Sequence, residues 1–440
     1  MKTLRPCLAV LAALSLAGPP GLRADDEYEN PPISYSQSAP HDAVQALETA
    51  QRQGKVTINR GDDWTVLRDL LKQFHIPEAS QVMVFSKTSK QNDRIGPATP
   101  RVVYFGDNAY VGYCLGGLME VSVIDPRLGP IFYVADPQGD RDKPVRFVRD
   151  QSCLSCHGGP FSPGVPGLIV RSVCPSRDGH PIGSQGSKVV DTTTLFEDRW
   201  GGWYVTGKHG SLVHKGNVTA EELGEKVMLD PRPGQNITRL DKFFDTSPYP
   251  RKTSDIVALM VLEHQTSTQN VLTKANQTAL RAMKMQQSLQ KELGEPVLDA
   301  PVNTARRMID HSAQDVVDAL LFKDEAALPA GGIEGSSGFQ EAFEKGAPRT
   351  GDGRSLKDLQ LLTRLFKHRC SYMIYSLTFK NLMPQLKQTV YDDLWAALRG
   401  DDAGHRYSYL SPCERRNILK ILVETLPDVP GEWRKVAAKE

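Results

Sequence analysis

The sequence predicts an α+β protein in which a strand-rich N-terminal half is followed by an α-helical C-terminal half. Short apolar runs, typical of β-strands, follow one another between residues 81 and 134, with turn residues between them. From residue 256 onwards, apolar residues recur every three or four positions, which is the spacing of one helix face. The chain of 440 residues is long enough for several folding units.

The composition is that of an ordinary globular protein, with 40% hydrophobic and 24% charged residues. The chain has 53 Lys and Arg residues and 52 Asp and Glu residues, which gives a net charge of +1. This balance excludes the broadly basic surface that binds nucleic acid. Seven cysteines are too few for a disulfide scaffold.

Residues 1–24 have the layout of a cleaved secretory signal. Lys2 and Arg5 precede a ten-residue apolar run at residues 8–17, and small residues lie just before residue 25. The run is half of the roughly 20 residues that a membrane-crossing helix needs. We therefore expect export to the periplasm and no membrane span. Removal of the segment, which also carries Arg23, would change the net charge from +1 to −2.

Residues 25–250 are predicted to form the first domain, a mixed α/β unit. Helical spacing predicts helices over residues 43–53 and 64–74. The strand-like runs that follow are separated by Gly, Asp, Asn and Pro turns, so an antiparallel meander is the simplest topology. These predicted strands cover residues 81–85, 102–105, 110–114, 119–124, 131–134, 168–173 and 202–206.

The C-terminal half is predicted to be helical throughout. Residues 251–323 contain two long helices, at 256–293 and 305–321, that pack on the first domain. Residues 324–354 are rich in Gly, Ala and Ser and are expected to be a linker with one short helix near residues 339–343. Residues 355–440 are expected to be a helical bundle. Its four predicted helices cover residues 356–366, 370–379, 386–398 and 412–426, and the last begins with a capping box at Ser411, Pro412 and Glu414.

The most specific motif in the chain is Cys153-x-x-Cys156-His157. In an exported protein this spacing is the attachment signature of a c-type haem. One helical turn directs both thiols towards the two vinyl groups of one porphyrin, and the following imidazole becomes the proximal iron ligand. The sequence therefore predicts one covalent haem c.

Three other interpretations of the motif carry less weight. A thioredoxin-like dithiol would be expected in a βαβ setting and does not require the histidine. A zinc knuckle needs two more ligands at short spacing, and the sequence has no second C-x-x-C. A disulfide between Cys153 and Cys156 would be strained.

Histidines are the nearest candidates for the second axial iron ligand. The sequence has no methionine between residues 158 and 227. His214 and His209 lie in a glycine-flanked loop and are nearly equal candidates for the distal ligand, whereas His180 lies in a turn and is expected to be exposed. His264 is a weaker candidate, because its helical spacing also fits a buried core residue.

Four further cysteines, Cys114, Cys174, Cys370 and Cys413, lie outside the signal and the motif. In an oxidising compartment Cys370 and Cys413 could bridge two helices of the terminal bundle. The alternative is that these residues are small buried hydrophobic side chains with free thiols.

Several segments resemble those of a family of exported bacterial proteins, well represented in planctomycetes and proteobacteria, that carry a single cytochrome c motif and have no assigned function. The meander is also similar in pattern to that of haem-bearing PAS-like sensor domains. Near His214 this chain has Lys215 where the family pattern has a methionine, so a ligand at that position would be absent here. The matching segments are the motif and residues 84–89, 91, 100–105, 110–113, 116–117, 125–126, 132–133, 165–168, 200–207, 209, 262–265, 353–356 and 370–376.

Two classes of function agree with these features. The first is periplasmic electron transfer with a redox partner protein. The second is a haem enzyme or sensor that binds peroxide, NO or CO at an open or displaceable sixth iron position. Candidate polar groups of such a ligand pocket are Lys87, Arg101, Asp107 and His209.

Overall fold

The computed structural model describes residues 27–140, 142–162, 164–224 and 226–437. The expected secretory signal lies outside these residues. The described chain confirms the α+β class: an antiparallel sheet occupies the N-terminal half and helices occupy the C-terminal half. None of the described helices combines the length and apolar character that crossing a bilayer requires.

Two short helices open the fold, each begun by an aspartate. Helix α1 (Ala43–Arg52) is capped by Asp42, whose carboxylate accepts hydrogen bonds from the backbone N–H of Val44 and Gln45. Helix α2 (Asp63–Gln73) is capped by Asp62 in the same way. These side chains satisfy backbone N–H groups that have no partner within the helix.

The central sheet has seven antiparallel strands in the order β6-β5-β4-β3-β2-β1-β9. Strands β1 to β6 are neighbours in chain order, which confirms the predicted meander for β1 to β5. The sequence did not predict β6, and β9 joins at the β1 edge. The likeness to PAS-like domains stays a prediction. The strands are β1 (Val82–Val84), β2 (Arg101–Phe105), β3 (Ala109–Tyr113), β4 (Met119–Asp125), β5 (Gly129–Ala135), β6 (Phe147–Arg149), β7 (Arg171–Val173), β8 (Ser187–Val189), β9 (Trp203–Tyr204), β10 (Glu221–Leu223) and β11 (Lys226–Met228).

The two faces of the sheet have different neighbours. On one face, the Tyr133 hydroxyl donates to the Asp42 carboxylate at 2.7 Å, and Tyr113 donates to Asp63, so α1 and α2 cover this side. The opposite face carries Tyr110, Ser122 and Phe132, which are paired directly across β3, β4 and β5. This second face meets the long helix of the C-terminal half and the cysteine motif.

The helices of the C-terminal half are organised around one long element. Helix α4 has 37 residues and is therefore about 55 Å long. It packs on α5, α5 packs on α8, and α8 packs on α9. The helices from α3 onwards are α3 (Leu154–His157), α4 (Ile256–Glu292), α5 (Asn303–Leu320), α6 (Phe339–Glu344), α7 (Leu377–Lys380), α8 (Pro384–Arg399), α9 (Pro412–Thr425) and α10 (Gly431–Ala437).

Helix α4 connects the sheet to the C-terminal helices through buried polar side chains. The Gln265 amide N–H₂ donates to the Tyr110 hydroxyl and to the Gly106 carbonyl, each at 2.7 Å. The Gln265 carbonyl oxygen accepts from the Tyr372 hydroxyl at 2.7 Å. One side chain therefore joins the second face of the sheet to the segment before α7.

Two helices of the predicted terminal bundle do not form. Residues 356–366 instead turn back on themselves: the Leu361 N–H donates to the Arg364 carbonyl, and Leu359 is bridged to Phe366. Residues 370–379 are divided by Ser371 and Ser376, whose side chains cap a 3₁₀ turn at Tyr372–Tyr375 and the short α7, respectively. Serine side chains that bond to nearby N–H groups compete with a continuous helix.

The segment expected to be a linker is packed against the rest of the chain. Its short helix α6 forms where the sequence predicts one. Lys208 and Glu334 form a β-bridge. Four of its apolar side chains are buried, those of Leu328, Ile333, Phe339 and Phe343.

The start of α9 agrees with the predicted cap in part. Ser411 caps the helix by accepting from the Glu414 N–H at 3.2 Å, and Pro412 is its first residue. The Glu414 carboxylate does not complete the capping box, because it binds the Arg369 guanidinium at 2.6 Å instead.

Candidate functional site

The cysteine motif lies on a short helical turn directly after strand β6. Asp150 begins the turn, since its carboxylate accepts from the Ser152 N–H at 3.0 Å. A 3₁₀ turn, Gln151–Cys153, then leads into α3. Leu154 is buried and anchors the turn, whereas Cys153 is half-buried and Cys156 is exposed. Both thiols are free; that of Cys156 lies at the surface, whereas that of Cys153 is partly buried and burial raises its pKa to about 11.

A lysine from the segment after β1 stabilises the start of this turn. The Lys90 ammonium lies 2.5 Å from the Asp150 carboxylate and donates to the Ser152 hydroxyl at 2.6 Å. Burial opposes the ionisation of Asp150, but the hydrogen bonds from Lys90 and Ser152 outweigh it and lower its pKa. The cap is therefore charged at neutral pH.

The imidazole of His157 is held by one hydrogen bond and one aromatic contact. Its Nδ1 lies 2.8 Å from the Gly167 carbonyl oxygen, and the Gly167 N–H donates to the His157 carbonyl at 2.8 Å. The ring packs against Phe132 of β5, with 4.4 Å between ring centroids. Burial lowers the pKa of His157, against the opposing effect of the Gly167 hydrogen bond. The ring is therefore neutral at pH 7.

This geometry fixes the tautomer of His157. A carbonyl oxygen can only accept, so Nδ1 carries the proton and Nε2 keeps its lone pair. Histidines that bind metals nearly always donate their other ring N–H to a carbonyl or carboxylate in this way. His157 therefore has the form of a metal ligand.

A partly buried ion pair lies on the same sheet face as Phe132. The Arg101 guanidinium lies 2.5 Å from the Glu120 carboxylate, which also accepts from Ser89 at 2.9 Å and from Gln91 at 3.0 Å. Burial opposes the ionisation of Glu120, but Arg101 outweighs it and the pKa of Glu120 is lowered. Gly112 leaves room for the pair, because a Cβ there would lie 2.2 Å from the guanidinium.

The two histidines predicted as distal ligands lie next to each other in the core. The rings of His209 and His214 have 4.9 Å between centroids, and His214 also contacts Trp200. His214 is fully buried and His209 is 1% exposed. Burial, together with His209, lowers the pKa of His214 to about 3. No described hydrogen bond or ring contact joins either histidine to His157.

In this pair a ring nitrogen of each histidine accepts a hydrogen bond from a backbone N–H, whereas Nδ1 of His157 donates one to a carbonyl. Nε2 of His209 accepts from the Asn236 N–H at 2.8 Å, and Nδ1 of His214 accepts from the Gly216 N–H at 3.0 Å. Each neutral ring must then carry its proton on the other nitrogen. Those nitrogens are buried and have no hydrogen-bond partner among the described residues. In this arrangement neither ring has a free lone pair for a metal.

His264 has partners on both nitrogens. Its Nε2 lies 2.7 Å from the Ser371 hydroxyl and its Nδ1 lies 3.4 Å from the Thr268 hydroxyl. The ring is stacked on Phe322 at 4.4 Å. His180, in contrast, is exposed beside Asp178. The structure places neither residue in contact with the motif.

The remaining candidate residues are dispersed over the molecule. Cys370 is buried, Cys413 is exposed, and both are free thiols. Asp107 forms an ion pair with Lys357 of the C-terminal half. Of the predicted pocket groups, Arg101 is the one on the sheet face that carries Phe132.

Sequence reasoning missed the residues that support His157. Phe132 and Gly167 contact it directly, and Asn270 of α4 binds the peptide that follows Gly167. In the sequence, Asn270 could be noticed only as a polar residue at a position of the long helix that is expected to be buried. Within the part of the chain that the structure describes, no three His, Cys, Asp or Glu side chains form a group that could hold a metal ion.

Comparisons of the chain with protein-family models, with curated proteins and with solved structures each found no match. What the site can do is therefore inferred from its own residues.

Proposed function

We propose that the protein is a periplasmic c-type haem protein with one haem, bound through thioethers to Cys153 and Cys156 and through Nε2 of His157 to iron. The observation that carries this proposal is the bond from Nδ1 of His157 to the Gly167 carbonyl at 2.8 Å. It leaves a neutral imidazole with its lone pair free, one residue after a pair of unbridged thiols.

Electron transfer is the function that this geometry supports best. The turn that carries Cys156 lies at the surface, so a porphyrin edge bound there would be accessible to a partner protein. A bound haem supplies a one-electron couple whose potential depends on its axial ligands and their hydrogen bonds. The chain itself contributes a fixed imidazole, packed on Phe132, and a charged surface around Lys90 and Asp150.

A haem enzyme or sensor is the second candidate, and the histidine pair favours it. Because His209 and His214 already use their lone pairs as acceptors, an iron bound to His157 would keep a position open to water or to an added ligand such as peroxide, NO or CO. A PAS-like sensor would belong to this class.

Covalent attachment is tested in cells that carry a c-type haem maturation system and export the full chain. The denatured wild-type protein should keep a stoichiometric haem, measured by its pyridine haemochrome spectrum. Cys153→Ser combined with Cys156→Ser should lose it, whereas Cys413→Ser, which changes an exposed thiol elsewhere, should keep it. Haem that the double variant retains after denaturation would refute the proposal.

The choice between the two functions depends on the sixth ligand. An electron carrier should give a low-spin ferric spectrum that does not change when cyanide is added. Its ferrous spectrum should not change when CO is added. A high-spin ferric spectrum that shifts with these ligands would favour the enzyme or sensor. His209→Ala and His214→Ala, each measured separately, should leave the spin state as in the wild type if neither residue binds iron.

A further inference from the structure

One peptide group connects helix α4 to the imidazole of His157. The peptide between Gly167 and Leu168 contributes the carbonyl that accepts from Nδ1 of His157 at 2.8 Å. The N–H of the same peptide donates to Oδ1 of Asn270 at 2.8 Å. The three groups therefore form a continuous hydrogen-bonded chain from the amide of Asn270 to the imidazole.

Asn270 fixes this segment from two sides. While its Oδ1 accepts from the Leu168 N–H, its Nδ2 donates to the Leu168 carbonyl at 2.7 Å. Asn270 is 7% exposed, so both bonds are shielded from water. A Cβ on residue 167 would lie 2.9 Å from Oδ1 of Asn270, which means that the close approach requires glycine.

We infer that Asn270 is a positioning residue for the iron ligand His157, and that it acts through the Gly167–Leu168 peptide. This inference rests on the proposed function. Hydrogen bonds in series polarise one another, so an acceptor on the Leu168 N–H makes the Gly167 carbonyl a stronger acceptor for the imidazole. The partners behind a metal-bound histidine set its ring orientation and raise its basicity. A more basic imidazole stabilises ferric over ferrous iron and lowers the reduction potential.

The first test is the midpoint potential of the haem-loaded protein. Asn270→Leu should raise it by about 59 mV, which corresponds to a tenfold change in the one-electron reduction equilibrium. Asn276→Leu is the matched control on the same helix: its Oδ1 accepts from the Met383 N–H at 2.9 Å, and it is also buried. This control should keep the wild-type potential. Asn270→Asp retains an acceptor oxygen and should stay at or below that potential.

The second test uses the chain without haem and therefore does not depend on the proposed function. The side-chain nitrogen NMR signals of His157 should show the Nδ1–H tautomer in the wild type. Asn270→Leu should increase the population of the Nε2–H tautomer, and Asn276→Leu should not.

The two tests separate the possible failures. A wild-type chain that binds no covalent haem would refute the proposed function, and the tautomer measurement would still decide the role of Asn270. An unchanged tautomer in Asn270→Leu would overturn the inference. So would a potential that shifts equally in Asn270→Leu and Asn276→Leu, or one that rises as much in Asn270→Asp as in Asn270→Leu.

Discussion

The Arg199 guanidinium and the Glu263 carboxylate lie 2.8 Å apart in the interior, with 3% and 0% of their side chains exposed. Arg199 also donates to the carbonyls of Thr194 and Thr192, and Glu263 accepts from the indole N–H of Trp200. This ion pair connects the loop before β9 to helix α4. Because Trp200 contacts His214, the pair also supports the buried histidines.

Loss of one partner of this ion pair should strongly destabilise the protein. Glu263→Leu leaves a buried guanidinium without a counter-charge and should lower the free energy of unfolding by about 3–5 kcal/mol. Adding Arg199→Met should recover most of that loss, since the uncompensated charge is gone. Urea unfolding measures the free energy of unfolding of the single and the double variant. In the exposed pair of Arg177 and Glu221, Glu221→Leu should cost less than about 1 kcal/mol. Equal costs at the two sites would contradict the assigned burial.

Acidification should destabilise the protein through His264. Burial lowers the pKa of His264 to about 3, from an ordinary value of 6.5. Between these values the unfolded state binds a proton that the folded state does not, so the free energy of unfolding falls as the pH falls. The slope is about 1.4 kcal/mol per pH unit for each such histidine.

His264→Gln should reduce the measured slope between pH 6 and 4 by about that amount. Chemical denaturation at a series of pH values provides the measurement. His311→Gln, on the exposed side of α5, is the control and should leave the slope as it is. A slope in His264→Gln equal to that of the wild type would show that His264 is protonated in the folded state.

The described cysteines should differ sharply in their reaction with thiol reagents. In the folded chain without haem, a maleimide should modify the exposed Cys156 and Cys413. Cys114 and Cys370 should react only after unfolding, because they are buried and burial raises the pKa of each thiol to about 12. Mass spectrometry of peptides from folded and unfolded samples shows which residues react. If Cys413 is protected until a reductant is added, it is bridged to another cysteine rather than free.

The cap of α4 should contribute more than an ordinary helix cap. One carboxylate oxygen of Asp255 accepts from the N–H groups of Val257 and Ala258, and the other accepts from those of Ser336 and Ser337 at 2.6 and 2.8 Å. Asp255→Ala therefore removes a cap and also leaves buried N–H groups without partners. We expect a loss of about 3 kcal/mol in the free energy of unfolding.

The matched control for this prediction is Asp62→Ala, at the exposed cap of α2, which should cost about 1 kcal/mol. Thermal unfolding of the two variants compares them directly. Similar losses would mean that the bonds to Ser336 and Ser337 contribute little to stability.

Features with local causes could be predicted from the sequence. The long helix was predicted at residues 256–293 and is observed at Ile256–Glu292, because Asp255 caps it and its apolar spacing is regular. Strands β1 to β5 of the meander could be predicted because a turn sequence separates each from the next, whereas β6 was not predicted. The cysteine motif could be recognised because Cys153 and Cys156 are three positions apart, within one helical turn.

The features that the sequence did not predict depend on contacts with residues that are far away in the chain. Residues 356–366 have helical spacing, but Leu361 accepts from the Ile333 N–H, a bond that local propensity does not reveal. The support of His157 by Asn270 also spans more than a hundred residues. The loop histidines could be identified as a pair, but their tautomers depend on the N–H groups of Asn236 and Gly216.

The contact between Asn270 and Leu168 spans 102 positions of the chain, which has a consequence for the order of synthesis. A nascent chain presents the cysteine motif long before its own helix α4 exists. Until that helix has been made and folded, the N–H of the Gly167–Leu168 peptide lacks its acceptor, Oδ1 of Asn270. A fragment that ends at residue 250 would keep the cysteine motif, Phe132 and Gly167 and yet lack the Asn270 amide behind the imidazole of His157. The chain beyond the motif thus supplies part of the support of the His157 imidazole.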